Sequence, residues 1–167
     1  MFTNRITNIV FVSSVVIALI LPLYYYSSLP ETIPSHFNFS GKADSWMGKN
    51  NFILFNYSLV FFIISIFIGI NILIKKTPNS LINLPNKDYW FTPERKEESL
   101  NTFRRFLFWT CSLTLLFITF LMDRSYSISL SNGSDLGAEI WIYIGMYMFI
   151  EVFLAIKLIL HFNSVRK

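Results

Sequence analysis

Charge is scarce in this sequence. Only 14% of its 167 residues are Asp, Glu, Lys or Arg, against about a quarter in a soluble domain. That deficit argues against an ordinary water-soluble globule. Cysteine is scarcer still. The lone Cys111 excludes an internal disulfide and any zinc site built on paired cysteines. The motifs of common chemistries are missing too: no G-x-S-x-G elbow, no H-E-x-x-H, no Walker loop, no dinucleotide fingerprint. No serine stands in a recognisable arrangement with a histidine base. No internal repeat or low-complexity linker divides the chain. The expectation is therefore a chain with no catalytic residues, no metal and no cofactor, more plausibly not an enzyme. The net charge of +4 calls for no nucleic acid.

What the chain has is apolar residues in blocks. Hydrophobic residues make up 53% and aromatics 18% of the whole. Four blocks of about 20 residues match the thickness of a bilayer's hydrocarbon core. The expected fold is all-α: an integral membrane four-helix bundle, a single domain over 1–167, with one ordered extracytoplasmic loop. Its helices are expected at about 8–29, 52–74, 93–122 (including a cytoplasmic extension) and 138–160. Arg5 before the first block brings a signal peptide to mind. The apolar stretch is longer than a signal core and no convincing small-x-small cleavage site follows, so a retained helix is expected. Pro22 is its kink point, and Tyr24, Tyr25 and Tyr26 suit a membrane interface. Thr92 is expected to cap the third helix, with Pro93 as its first residue. Residues 123–137 read as a loop, with Asn132-Gly133 as a turn signal.

Basic residues set orientation. Assigning alternate connections to alternate sides puts Arg5, Lys75, Lys76, Lys87, Arg95, Lys96, Arg104, Arg105, Lys157, Arg166 and Lys167 on one side. Lys42, Lys49 and Arg124 fall on the other, a split of 11 to 3 among 14 basic residues. The chain is thus expected in the cell membrane as a multi-pass protein with both termini cytoplasmic. The bilayer is its first partner, including anionic headgroups. The oligomeric state is not legible.

The stretch from Leu29 to Lys49, LPETIPSHFNFSGKADSWMGK, is the one long polar segment in the first half. Pro30 and Pro34 bias their neighbours to extended forms. Residues 35–39 alternate, with Phe37 and Phe39 on one side and His36 and Asn38 on the other. Gly41 supplies a turn. One reading is a packed lid over the bundle. The other is a binding surface for a peptide, lipid or cell-envelope ligand, using His36, Phe37, Asn38, Gly41, Asp44, Trp46 and Lys49. His36 with Asp44 and Glu31 falls short of the three or four suitably spaced ligands of a zinc site.

Leu29-Pro30, Ile33-Pro34-x-His36-Phe37-Asn38, Gly41, Asp44, Trp46 and Lys49 resemble the signature of a bacterial membrane family, the domain of unknown function sixteen-forty-eight. That domain also forms the front part of SdpI-like proteins, which give immunity to a secreted peptide toxin. Asn83-x-Pro85-Asn86-Lys87-Asp88-Tyr89-Trp90 and Pro93-Glu94-Arg95 look like that family's cytoplasmic segment, giving Asn86, Asp88, Tyr89, Trp90, Glu94 and Arg95 as a cytoplasmic motif. The resemblance covers about Leu21 to Arg105. It implies an outer loop engaged in immunity or sensing.

Glu151 is the one acid deep inside an apolar block. An ionised side chain at mid-bilayer costs about 2.5–3.5 kcal/mol on insertion scales, so it is expected to face the bundle. Ser13, Ser14, Ser65, Cys111, Ser112 and Thr114 lie at comparable depth and could form a polar core around it. Two function classes follow: a non-enzymatic membrane protein whose outer loop meets a ligand, or a membrane enzyme or proton-linked carrier using Glu151 or His36.

Overall fold

The computed structural model describes residues 4–164; Arg166 and Lys167 of the charge bias lie outside them. In chain order the elements are α1 (Asn4–Tyr26), β1 (Thr32–Phe37), β2 (Ala43–Gly48), α2 (Lys49–Lys76), the one-turn α3 (Lys87–Trp90), α4 (Lys96–Leu130) and α5 (Ile140–Asn163). The four long helices are each long and apolar enough to cross a membrane. Their ends sort into two groups. The β1–β2 hairpin and the α4–α5 connection share one end. Lys75, Lys76 and Arg104 line a common groove at the other, basic end.

The all-α expectation is corrected at the loop between α1 and α2. Strands β1 and β2 pair antiparallel, with Ile33 opposite Met47 and Pro34 opposite Trp46. Thr32, Ile33 and Pro34 favour extended backbone. The partner ADSWMG has weak strand propensity on its own, so its pairing is imposed by tertiary contacts.

Two boundaries also move. Helix α4 begins at Lys96 rather than Pro93. Residues 93–95 form a tight lead-in turn, in which the Arg95 and Lys96 amides donate to the Thr92 carbonyl at 3.1 and 3.0 Å. At its other end α4 runs through residues 123–130, which read as loop from the sequence. No glycine or proline interrupts them, and Tyr126 and Ile128 are buried. The stop comes at Asn132, whose φ of 53° is left-handed. The Gly133 amide donates to Ile128 O at 2.9 Å and the Asn132 amide to Ser129 O at 3.2 Å. These two bonds form a Schellman cap.

Helix α4 is the spine. The buried face of α1 is a file of small residues, Thr7, Ser14, Ala18 and Pro22. Their size lets α1 and α4 approach closely, which is how helices associate where hydrophobicity gives no drive between them. The Trp109 indole N–H donates to Thr7 Oγ1 at 3.1 Å. Midway, Ala18, Val60, Cys111 and Leu115 form a buried cluster joining α1, α2 and α4. Helix α5 packs chiefly on α4, through Phe117 stacked on Tyr147 at 4.2 Å and Phe120 against Tyr143 at 4.9 Å. The expected four-helix bundle is therefore three helices in mutual contact, with a fourth laid along α4.

Beneath the hairpin, Leu29, Ile33, Phe52, Ile53 and Tyr126 form a second buried cluster. Inside it the Asn56 amide donates to Tyr126 Oη at 2.8 Å. Both side chains are shut off from solvent, so neither can replace this bond with water. Tyr126→Phe should lower stability by about 1–2 kcal/mol, the cost of an orphaned buried polar group. Unfolding of the purified protein in detergent measures this. A double-mutant cycle with Asn56→Ala should return a favourable coupling, and a coupling of zero would mean that the bond contributes nothing.

Candidate functional site

The hairpin is held at both ends. At its base the Lys49 amide donates to the Glu31 carbonyl at 2.9 Å. The Lys49 ammonium reaches Leu29 O and Glu31 Oε1, each at 3.4 Å, and lies 5.2 Å from the centre of the Tyr26 ring. Lys49 is thus an anchor for the loop's two ends, and Glu31 is occupied there instead of joining His36.

At the tip, Asn38 builds the turn. Its Oδ1 accepts from the Ser40 and Lys42 amides at 2.9 and 3.1 Å, and its carbonyl accepts from the Gly41 amide at 2.9 Å. Gly41 has φ 81°, in the region where a Cβ is strained. A Cβ there would also sit 3.4 Å from Asp135 Oδ1 and the Gly137 carbonyl. The tip pairs with the α4–α5 connection: the Ala43 amide donates to Ser134 O at 2.7 Å and the Leu136 amide to Gly41 O at 2.9 Å. Phe39 is 84% exposed, yet its ring lies 4.6 Å from that of Trp141, whose indole donates to Phe39 O at 3.2 Å. Sequence reasoning missed residues 134–136 and Trp141 as partners of this loop. The only signal was an aromatic at the start of the fourth block.

His36 and Asp44 meet across the strands, Nδ1 to Oδ1 at 2.5 Å, with both side chains well exposed. Bulges flank this pair in the register. Trp46 stands on the hairpin opposite Pro34, 54% exposed. Phe37 is half-buried and turns inward. Under the hairpin lies a cavity of about 270 Å³, bounded by Ser35, His36 and Phe37 above and by Phe52, Ser125 and Trp141 among the helix ends. The arrangement offers an apolar hollow with a few polar groups at its rim, the general form of a small ligand site. Among the described residues no three His, Cys, Asp or Glu side chains gather as a metal site would require.

The segment with Asn86, Asp88, Tyr89, Trp90, Glu94 and Arg95 lies far from the hairpin and has a structural task. Asn86, with φ 51°, donates from Nδ2 to the Phe162 and Asn163 carbonyls at 3.1 and 3.2 Å. The Trp90 indole donates to Phe162 O at 2.7 Å and stacks on His161 at 5.1 Å. Together they satisfy carbonyls that the end of α5 leaves without helical partners. Arg95 covers the Tyr89 ring at 4.2 Å. The Glu94 carboxyl is held below its ordinary range by its own backbone N–H first, then by the Thr92 hydroxyl. Asp88 is exposed.

Glu151 faces α4 against Thr110. Its Oε1 and Thr110 Oγ1 are both enclosed without a well-formed hydrogen bond. The polar core expected around it is not assembled there. Ser14, Cys111 and Ser112 are buried elsewhere along the spine, and Ser13 and Ser65 are exposed. Thr114 is nearer in kind, bonded to Tyr147 Oη at 3.1 Å on the α5 side.

Trp90→Phe should speed amide exchange across residues 158–163 by the factor that about 1 kcal/mol of lost capping implies, leaving the hairpin amides unchanged. Hydrogen-exchange mass spectrometry checks it. Unaltered exchange at 158–163 would show that the cap is dispensable.

No curated protein and no solved structure matches the chain. A family model does. Residues 14–61 match the family described as Domain of unknown function (DUF1648). The match is shorter at its far end than the motif resemblance, so the segment around Asn86 and Arg95 falls outside it. It coincides instead with half of α1, the whole hairpin and the first half of α2. Residues 14–61, from the middle of α1 through the hairpin to the middle of α2, are thus the part of this chain that matches the domain of unknown function DUF1648.

Proposed function

We propose that this multi-pass membrane protein holds its hairpin outside the cell and uses it to recognise a peptide or cell-envelope ligand. The observation that carries this reading is the cavity of about 270 Å³ between the hairpin and the helix ends. An apolar side chain of the ligand enters it, while His36 and Asp44 meet polar groups at the rim and exposed Trp46 adds contact. The hairpin is fastened at base and tip before any ligand arrives, so little ordering entropy remains to be lost on binding. Immunity to a peptide toxin, as in the SdpI-like proteins that the loop motif resembles, is one such role. The carrier reading through Glu151 has less support. That side chain lies against Thr110 of α4 and does not line the cavity.

The orientation rests on the basic residues. Arg5, Lys75, Lys76, Lys87, Arg95, Lys96, Arg104, Arg105 and Lys157 belong to the end opposite the hairpin, the cytoplasmic end by the charge rule. Cysteines placed at Ser40 and at Ser80, both exposed, should differ in a Cys111→Ser background. An impermeant thiol reagent on intact cells should label the first alone, and labelling of the second alone would reverse the topology.

Cells lacking the gene should be more sensitive than wild type to at least one member of a panel of membrane-active peptides. Trp46→Ala and His36→Ala should restore protection less well than wild type at equal expression. Equal sensitivity of the deletion and the wild type across the panel would remove the immunity role. Full protection by both variants would remove the hairpin as the recognising element.

A further inference from the structure

The basic end carries a second site, independent of the hairpin. Helices α1 and α2 meet around Ala18 and Val60, but each packs mainly on α4. At the basic end they part to leave a groove of about 530 Å³, floored by α4. Its walls are apolar: Phe11 and Val12 from α1, Ile68 and Ile72 from α2, and Phe108 from α4. Its polar end holds Arg104, Lys75 and Lys76.

The arginine is fixed in place. Its Nε donates to Asn71 Oδ1 at 3.0 Å, and its Nη1 to Asn101 Oδ1 at 3.4 Å. Asn71 is itself buried, between Ile70 and Ile72 of α2, and its amide donates to Phe67 O at 3.3 Å. The guanidinium is therefore pre-aimed by neutral partners, which leave its charge unneutralised. Among the described residues the ion pairs are His36–Asp44 and Lys49–Glu31, both at the hairpin end. Two smaller clefts adjoin the groove at Arg104 and add Lys96 and Arg105. Glu97 is the single carboxylate among the residues lining the three.

An apolar channel between two membrane-spanning helices, ending in an oriented arginine and two lysines, matches one kind of molecule. We infer that the groove binds an anionic phospholipid, its phosphate on Arg104, Lys75 and Lys76 and an acyl chain between α1 and α2. Basic pockets between helices on the cytoplasmic side are suited to such headgroups. The volume is in the range that encloses a small ligand. Charge selects the headgroup, and the apolar walls distinguish a lipid from free phosphate. The bound chain fills the gap that α1 and α2 leave, so the lipid acts as a structural part of the helix assembly.

The test uses the full chain in an uncharged detergent, with unfolding temperature followed by tryptophan fluorescence. Phosphatidylglycerol should raise that temperature well above the effect of the same amount of phosphatidylcholine, and inorganic phosphate should not reproduce the rise. The double variant Lys75→Gln/Lys76→Gln alters two exposed side chains and should lose most of the shift. Val12→Trp, which fills the groove without touching a charge, should lose it as well. An equal shift with phosphatidylcholine would overturn the charge selection. A full shift with phosphate alone would overturn the lipid as occupant, and undiminished shifts in both variants would overturn the site.

Discussion

A buried hydrogen bond between Asn56 and Tyr126 sets the geometry on which the hairpin end depends. It joins two helices that run in opposite directions, at the level where Ile33 enters from above. Tyr126 touches three partners there: Asn56 by its hydroxyl, Phe52 edge-on at 5.7 Å and Tyr25 at 5.1 Å. A dry site makes such a bond hard to exchange, because an unsatisfied amide or hydroxyl costs far more there than in water. The spacing of α2 from α4 is thereby fixed, and the strands have a floor of defined width. Tyr25 extends the arrangement through its own hydroxyl, which donates to Asp123 Oδ1 at 2.8 Å.

The hairpin solves a second problem. Backbone donors and acceptors that pack against the helix ends need partners of their own. Pairing β1 with β2 supplies most of these, and residues 134–136 take up donors and acceptors at the tip. Asn38 closes the turn from within. The same economy recurs at the basic end, where Asn86 and Trp90 finish α5. In both places a polar side chain, from within the turn or from a neighbouring segment, satisfies backbone groups that would otherwise be left without partners.

Much of this was legible in the sequence. Block length revealed the four long helices, and the Pro/Gly/aromatic pattern marked residues 29–49 as ordered. Gly41 reads directly as a turn, because φ near 80° suits glycine. Other features were hidden for physical reasons. Strand β2 contains Ala, Asp, Ser and Gly, whose preferences oppose a strand, and the partner strand with residue 134 holds it there. Residues 123–130 look polar enough for a loop, yet Tyr126 and Ser129 turn inward on the α4 spine. The cavity under the hairpin draws on Ser35, Phe52, Ser125 and Trp141 from four separate segments, and periodicity along one segment cannot reveal that convergence. Glu151 shows the converse. Its inward-facing position follows from cost, whereas its neighbours depend on which helix α5 happens to lie against.

The 35 residues of α4 span about 50 Å at 1.5 Å per residue, against about 30 Å for a bilayer's hydrocarbon core. One unbroken rod therefore sets the separation between the hairpin floor and the basic clefts. A thinner bilayer cannot shorten it. The surplus appears as tilt, as protrusion beyond the hydrocarbon or as local thickening of the bilayer. The protein thus behaves as a strut of fixed length, and local membrane thickness bears on how far its hairpin end stands from the headgroups.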